Sequence, residues 1–468
     1  MGRNELAMFF EPSSIAIIGS LGEEWFGGQV LRQNLLDNGY SGGIYLINPS
    51  LKEISGARVY PNIKAVSETI DLAVIMVPSQ RVPQTIQDCA EKGISAAIIV
   101  PGGFSEAGKE GDKLQNEVDE VAKCTGTRIL GPNCLGVTNT EVGLMTFPFR
   151  SLTKVKKGGV AVGSQSGVIS PPGLPWGDMG CGVSKTCDFG NKCDVDEADF
   201  LEFLRNDQQS EAIALHLEGL RDGRRFLEIA REVAAIKPIF VYKPGRTQEG
   251  AKAAMSHTGS LAGEQKVYEA AFKQAGIIQV NSLMELFEIA KSFPQQPLPK
   301  GNRVAIVTLT GGAGVISIDG AVESGLVLAK LSAKTNRRLT QLHPTLVGNP
   351  LDIEPAGAAL GHLPVKETLE AVLNDENVDC VIANCWTSTS TEQYVEAFSK
   401  IKNHSDKPTV FWVFGSTLES IAQLRSVIEH HGYPAYSDLE TAAKVLGIKY
   451  QYTKIQTKLR EEKGQKVC

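Results

Sequence analysis

The sequence predicts an α/β protein built from parallel, doubly wound sheets, and two observations carry that reading. Apolar or β-branched runs at residues 14–19, 44–48, 72–77 and 96–100 each close on Gly or Pro, and helical stretches separate them. Such alternation is the pattern of consecutive βαβ units. The rhythm then restarts twice, after RILGPNCLG (128–136) and after the proline-rich FPQQPLPK (293–300). Three domains are therefore expected, at 1–130, 131–295 and 296–468, and a chain of 468 residues accommodates them at typical sizes of roughly 100–200 residues each.

Composition narrows the function classes. A formal net charge of -6 offers no basic tract for nucleic acid, and no apolar run is long enough to cross a bilayer. The opening MGRNELAMFFEPSS is polar, acidic and interrupted by proline, which speaks against an export signal. Nine cysteines scattered along the chain fit a reducing cytoplasm better than a disulfide framework. Cys181, Cys187 and Cys193 are evenly spaced but lack a nearby histidine or a C-x-x-C pair, so no metal site is expected.

In the first domain, the run ending at Gly19 leads through SLGEEWFGGQ into a helical pattern from Val30. This opens a nucleotide-binding βα unit, although the loop is not G-x-G-x-x-G. In the second domain a basic connector, 154–157, precedes a strand at 159–163 that runs into Ser164, Gln165, Ser166 and Gly167. Small residues with free backbone N–H groups before a helix make an anion site. Further strands at 183–188, 212–217 and 238–241 point their carboxyl ends to the same edge. Ser166, Asp194, Glu218 and His257 are expected to converge there.

His257 stands in MSHTGSLAGE, a loop of small residues between the strand at 238–241 and an amphipathic helix at 265–275. That setting suits a nucleophilic imidazole; a satisfied surface histidine is the competing reading. A carboxylate on its other ring nitrogen would fix the tautomer, and Glu218 is the candidate. The alternative for Glu218 is a surface pair with Arg221 or Arg224. In the third domain a strand at 304–308 enters a glycine loop, Gly311, Gly312, Ala313 and Gly314, followed by a helix at 315–324. This is either a second phosphate site or a tight turn without a ligand. Asp352 reads as a cap, His430 and His431 as a helix end, and residues 454–468 as a frayed tail.

Taken in order, RILGPNCLG, VAVGSQSG, GNKCDVDEADFLEFL, LHLEGLRDGRRF, KPGRTQEGAKAAMSHTGSLAG and VTLTGGAGV resemble the alpha subunits of ADP-forming acetyl-CoA synthetases. These belong to the NDP-forming acyl-CoA synthetase superfamily, with succinyl-CoA synthetase. The resemblance implies a Rossmann-like CoA-binding domain followed by two flavodoxin-like ligase domains. It implies that acyl-CoA, ADP and phosphate interconvert with a small carboxylic acid, CoA and ATP, through a phosphohistidine at His257. Under it, CoA meets Gly19, Ser20, Asn48, Pro49, Val77, Pro78 and Asn133, and the two glycine-bearing turns hold phosphate. ADP or ATP with Mg2+ is expected on an ATP-grasp beta subunit, because no G-x-x-x-x-G-K-[ST] loop or further nucleotide domain is present; an alpha2beta2 assembly follows. Two departures, Glu23-Glu24 in the first loop and Pro171-Pro172 after SQSG, keep open a catalytically weakened CoA-binding or regulatory relative.

Overall fold

The computed structural model describes residues 6–22, 25–150, 155–169, 180–250, 265–387 and 406–465. The chain divides into two compact units, Met1–Leu286 and Phe287–Cys468.

The first unit contains two sheets of seven strands. One comprises β1 (Ser14–Gly19), β2 (Gly43–Ile47), β3 (Glu53–Ile54), β4 (Ala57–Tyr60), β5 (Leu72–Met76), β6 (Ala96–Ile99) and β7 (Arg128–Leu130). Its order is β3-β4-β2-β1-β5-β6-β7, parallel throughout except for the β3-β4 hairpin. β5 is buried along its whole length, as the run LAVIM demands of a strand covered on both faces. The chain winds outward from β1 in one direction and then in the other, which is the Rossmann arrangement. A crevice opens at that reversal.

The other sheet comprises β8 (Val137–Asn139), β9 (Leu144–Met145), β10 (Lys157–Ser164), β11 (Val183–Asp188), β12 (Ala212–His216), β13 (Ile239–Tyr242) and β14 (Ile278–Val280). Its order is β14-β13-β12-β10-β11-β8-β9. The five strands from β10 to β14 are parallel and flavodoxin-like, with the reversal at β10. β8 and β9 extend the edge in antiparallel fashion and were not legible in advance. Both are short: β8 carries Thr138 and Asn139 and is a strand through its pairing with β11, and β9 in turn pairs with β8.

The second unit repeats the flavodoxin-like order with β15 (Arg303–Thr308), β16 (Val327–Leu328), β17 (Leu351–Asp352), β18 (Cys380–Trp386), β19 (Thr409–Phe414) and β20 (Ala435–Tyr436). The strands run β16-β15-β18-β19-β20, with β17 added on β15. The frayed tail expected at 454–468 is corrected: a helix runs over Leu439–Gln465, beyond which residues 466–468 lie outside the described set. Buried anchors hold it, since Lys449 Nζ reaches the carbonyls of Ser292 at 3.1 Å and Gln296 at 2.9 Å, and Tyr452 packs edge-on to Phe293. No described helix is long and apolar enough to cross a membrane.

Candidate functional site

The carboxyl edge of the first sheet gathers the residues assigned to CoA. Gly19 has φ +116°, and a Cβ there would lie 2.5 Å from the Met76 carbonyl oxygen, so only glycine lets the end of β1 pass this close to β5. The Ser20 amide donates to that same carbonyl at 3.1 Å, and the Asn48 side-chain amide donates to the Gly19 carbonyl at 2.8 Å. Pro49 follows β2, and Val77 and Pro78 follow β5 directly. Asn133 lies past β7 with φ +57°, its amide donating to the Pro101 carbonyl at 3.0 Å. Glu23 and Glu24 lie outside the described residues. Just beyond them the Gly27 amide donates to the Pro148 carbonyl at 3.0 Å, and Asn34 donates to the carbonyls of Phe147 at 2.9 Å and Phe149 at 2.7 Å. A segment leading toward the second sheet thus braces the first loop.

At the edge of the second sheet, β10 ends in the SQSG turn. The Ser164 hydroxyl accepts the Ser166 amide at 2.9 Å and lies 3.3 Å from His216 Nδ1. Gly167 begins a 3-10 turn, Gly167–Ile169, and residues 170–179, with Pro171 and Pro172, lie outside the described set. Gln165 turns its amide oxygen onto the backbone N–H groups of Glu218 at 2.7 Å and Gly219 at 2.9 Å. The structure therefore joins the SQSG turn to Glu218, as the shared strand edge predicts. Arg221 takes the carbonyls of Lys192, Cys193 and Asp194 at 3.2, 2.6 and 2.9 Å. His257 lies outside the described residues.

The expected convergence of Asp194 is corrected. Its carboxylate binds Arg128 Nε and the Ile129 amide, both at 2.8 Å, on the last strand of the first sheet. A guanidinium sixty-six positions earlier in the chain wins it, and no local pattern announces that partner.

Asp188 was missed by sequence reasoning and occupies the edge instead. It is the last residue of β11 and is buried, accepting the Leu135 amide at 2.7 Å and more weakly that of Gly190 at 3.3 Å. Burial pushes its carboxyl up to about 7, with the charge of Glu218 adding to the rise against those two amides. The signal available was a carboxylate closing a buried strand, one position from the edge. Two lysines also stand here. Lys192, at φ +57°, contacts Gly219 O at 2.7 Å and Glu197 Oε2 at 3.0 Å; Lys243 contacts Glu218 O at 3.0 Å. Burial, with Lys243 nearby, drives His216 down to about 4, so that ring is neutral at pH 7.

In the second unit the predicted glycine loop is the first turn of a helix, Gly311–Glu323. Thr310 caps it, its hydroxyl accepting the Ala313 amide at 3.2 Å. Around Gly312 a Cβ would meet nothing within 4 Å, whereas at Gly314 it would press on Thr308 and Pro350 at 3.1 and 3.2 Å. Asp352, expected as a cap, instead closes β17: its carboxylate accepts the Glu354 amide at 3.1 Å, but the N-cap of the helix Glu354–Leu360 is Ile353. Among the described residues no group of three His, Cys, Asp or Glu is placed to hold a metal ion.

Residues 13–140 match the CoA binding domain family, 157–293 the succinyl-CoA ligase like flavodoxin domain and 304–460 the ligase-CoA domain. The chain is 39% identical over 453 residues to the alpha subunit of ADP-forming acetate–CoA ligase II from Pyrococcus furiosus, covering 94% of this chain and 96% of that one. Against ADP-forming acetate–CoA ligase II from Archaeoglobus fulgidus identity is 38%, covering 96% of this chain but 67% of that longer protein. The dinucleotide-forming acetyl-coenzyme A synthetase 1 of Ca. Korarchaeum cryptofilum, solved with phosphate and ADP, superposes with a TM-score of 0.89 at 32% identity, covering 98% of this chain and 99% of that one.

Proposed function

The chain belongs to the ADP-forming acetate–CoA ligase family and is a ligase of the NDP-forming acyl-CoA synthetase type, and we propose that it interconverts acyl-CoA, ADP and phosphate with a carboxylic acid, CoA and ATP through a phosphohistidine at His257. The observation that supports this reading most directly is the joining of the SQSG turn to Glu218 by Gln165 at the reversal point of the second sheet. A phosphate oxygen attacks the thioester carbonyl, the C–S bond breaks, and CoA leaves as thiol with the proton phosphate gave up. The His257 imidazole then attacks phosphorus of the acyl phosphate; an N–P bond forms, the P–O bond to the acyl group breaks, and the carboxylate departs. Finally a β-phosphate oxygen of ADP takes the phosphoryl group and regenerates the imidazole. Ser164, Gln165, Ser166 and Gly167, and separately Gly311, Gly312, Ala313 and Gly314, present phosphate-binding turns in this reading. Glu218 orients the ring. Gly19, Ser20, Asn48, Pro49, Val77, Pro78 and Asn133 bind CoA, at the edge where Gly19 brings the end of β1 against the Met76 carbonyl.

A relative that this chain covers to 96% of its length is named as an alpha subunit, whereas the alignment covers only 67% of the longer Archaeoglobus fulgidus relative. We accordingly assign ADP and Mg2+ to an ATP-grasp beta subunit, in an alpha2beta2 assembly, working in the cytoplasm. The proposed domain limits remain 1–130, 131–295 and 296–468. The test is labelling with [32P]acetyl phosphate: His257→Asn should abolish an acid-labile, base-stable adduct while preserving CoA binding. Undiminished labelling of that variant overturns the phosphohistidine. CoA binding by the native protein without label or turnover would instead identify a weakened relative.

A further inference from the structure

All four main-chain polar groups of the Glu218-Gly219 dipeptide end on side chains. Both N–H groups donate to the single Gln165 amide oxygen, at 2.7 and 2.9 Å. The Glu218 carbonyl accepts from Lys243 Nζ at 3.0 Å, and the Gly219 carbonyl from Lys192 Nζ at 2.7 Å. These three side chains come from the ends of three strands, β10, β11 and β13, around the end of β12. Loop peptides at such an edge ordinarily bind water and wander. Here water is replaced by two lysines that are 8% and 5% exposed, an expensive use of ammonium groups unless the position of this dipeptide matters.

Lys243 makes a second set of contacts. Its ammonium also reaches the Pro244 carbonyl at 3.3 Å, and it lies 4.6 Å from the centre of the Tyr268 ring, in the helix Gln265–Ala275. One side chain therefore touches the chain just after β13, the helix that precedes β14, and the backbone of Glu218. His257 falls in sequence between Pro244 and Tyr268.

We infer that Gln165, Lys192 and Lys243 are positioning residues that hold the Glu218 backbone fixed relative to the two flanks of the His257-bearing stretch, so that the reaction rate depends on them through Glu218. The inference rests on the functional reading above. A purely structural role would lower stability and leave turnover of the folded protein intact.

A double-mutant cycle separates the two. With the beta subunit present, and acetate, CoA and ATP as substrates, Lys243→Met and Gln165→Met should each lower kcat by at least about tenfold. KM for CoA should stay within about twofold, since the CoA edge lies on the other sheet. In a Glu218→Gln background the same changes should cost less than about twofold, because the group they position is already disabled. Lys243→Arg, which keeps a cation for the Glu218 carbonyl, should recover part of the loss. If Lys243→Met fails to fold, Gln165→Met carries the comparison by itself. Equal losses in both backgrounds, or native kcat in the folded variants, overturn the positioning role. Persistent labelling of His257→Asn would sink the phosphohistidine reading instead, and the two failures are told apart by which variant misbehaves.

Discussion

The Asp188 carboxylate accepts the Leu135 amide at 2.7 Å, and this one hydrogen bond ties the end of β11 to the stretch that leaves the first sheet. The Cys134 thiol adds a second link by donating to the Asp188 carbonyl at 2.8 Å. A buried acid thus stands at the joint between the sheet assigned to CoA and the sheet assigned to phosphate.

The first prediction concerns the pH dependence of stability at that joint. Burial raises the Asp188 carboxyl from the ordinary 3.8 to about 7, so between those values the native state holds a proton that the unfolded chain has released. Stability from this group is complete below about pH 4 and falls as pH rises through 7, by on the order of 4 kcal/mol once ionisation is complete. Asp188→Asn cannot ionise and keeps an acceptor for Leu135. Its melting temperature should decline less than that of the native protein between pH 5.5 and 8. Parallel declines in the two proteins would show that Asp188 is ionised throughout.

A second prediction follows from Lys185, whose ammonium is fully buried against both oxygens of Asp207 at 2.9 Å and Gln209 Oε1 at 2.8 Å. Burial pushes the Asp207 carboxyl up, but Ser210 and Lys185 outweigh it and hold the group below its usual range. Lys185→Met leaves that carboxylate without its cation and should cost about 3–5 kcal/mol in urea unfolding. Adding Asp207→Asn should restore part of it, because the uncompensated charge disappears. A cost below about 1 kcal/mol for the single variant would mean that water reaches the pair.

How far the sequence carried this picture depends on the distance between partners. Runs such as LAVIM and the period of residues 265–275 are local, and β5 and the helix Gln265–Ala275 formed where they pointed. Placing Glu218 beside the SQSG turn needed only the rule that parallel strands share a carboxyl edge. What failed involved partners remote in sequence: Arg128 claims Asp194, Leu135 claims Asp188, and β11 turns Val137–Asn139 into a strand. Only the boundary of the glycine loop at 311–314 was misplaced, and for a local reason, because Thr310 caps the helix earlier than the glycines alone imply. The tail after Lys454 is charged and reads as solvent-loving, yet Lys449 and Tyr452 anchor its helix further back.

The last prediction uses the two glycines of the second unit to separate binding from folding. Gly312 is exposed in the first turn of the helix Gly311–Glu323, and a methyl group there would touch nothing within 4 Å. Glycine in a helix costs roughly 0.5–1 kcal/mol relative to alanine, so Gly312→Ala should raise stability by about that amount. If the turn meets a phosphoryl group, the added methyl stands where the anion must approach the backbone N–H groups. ATP formation from acetyl-CoA, ADP and phosphate, with the beta subunit present, should then fall by about tenfold or more in the same stabilised protein. Gly314→Ala is the control of opposite sign: its Cβ would press on Thr308 at 3.1 Å and Pro350 at 3.2 Å, so stability should drop. A Gly312→Ala protein that melts higher and turns over as fast as the native one would remove this turn from the phosphate sites and leave it a capped helix start.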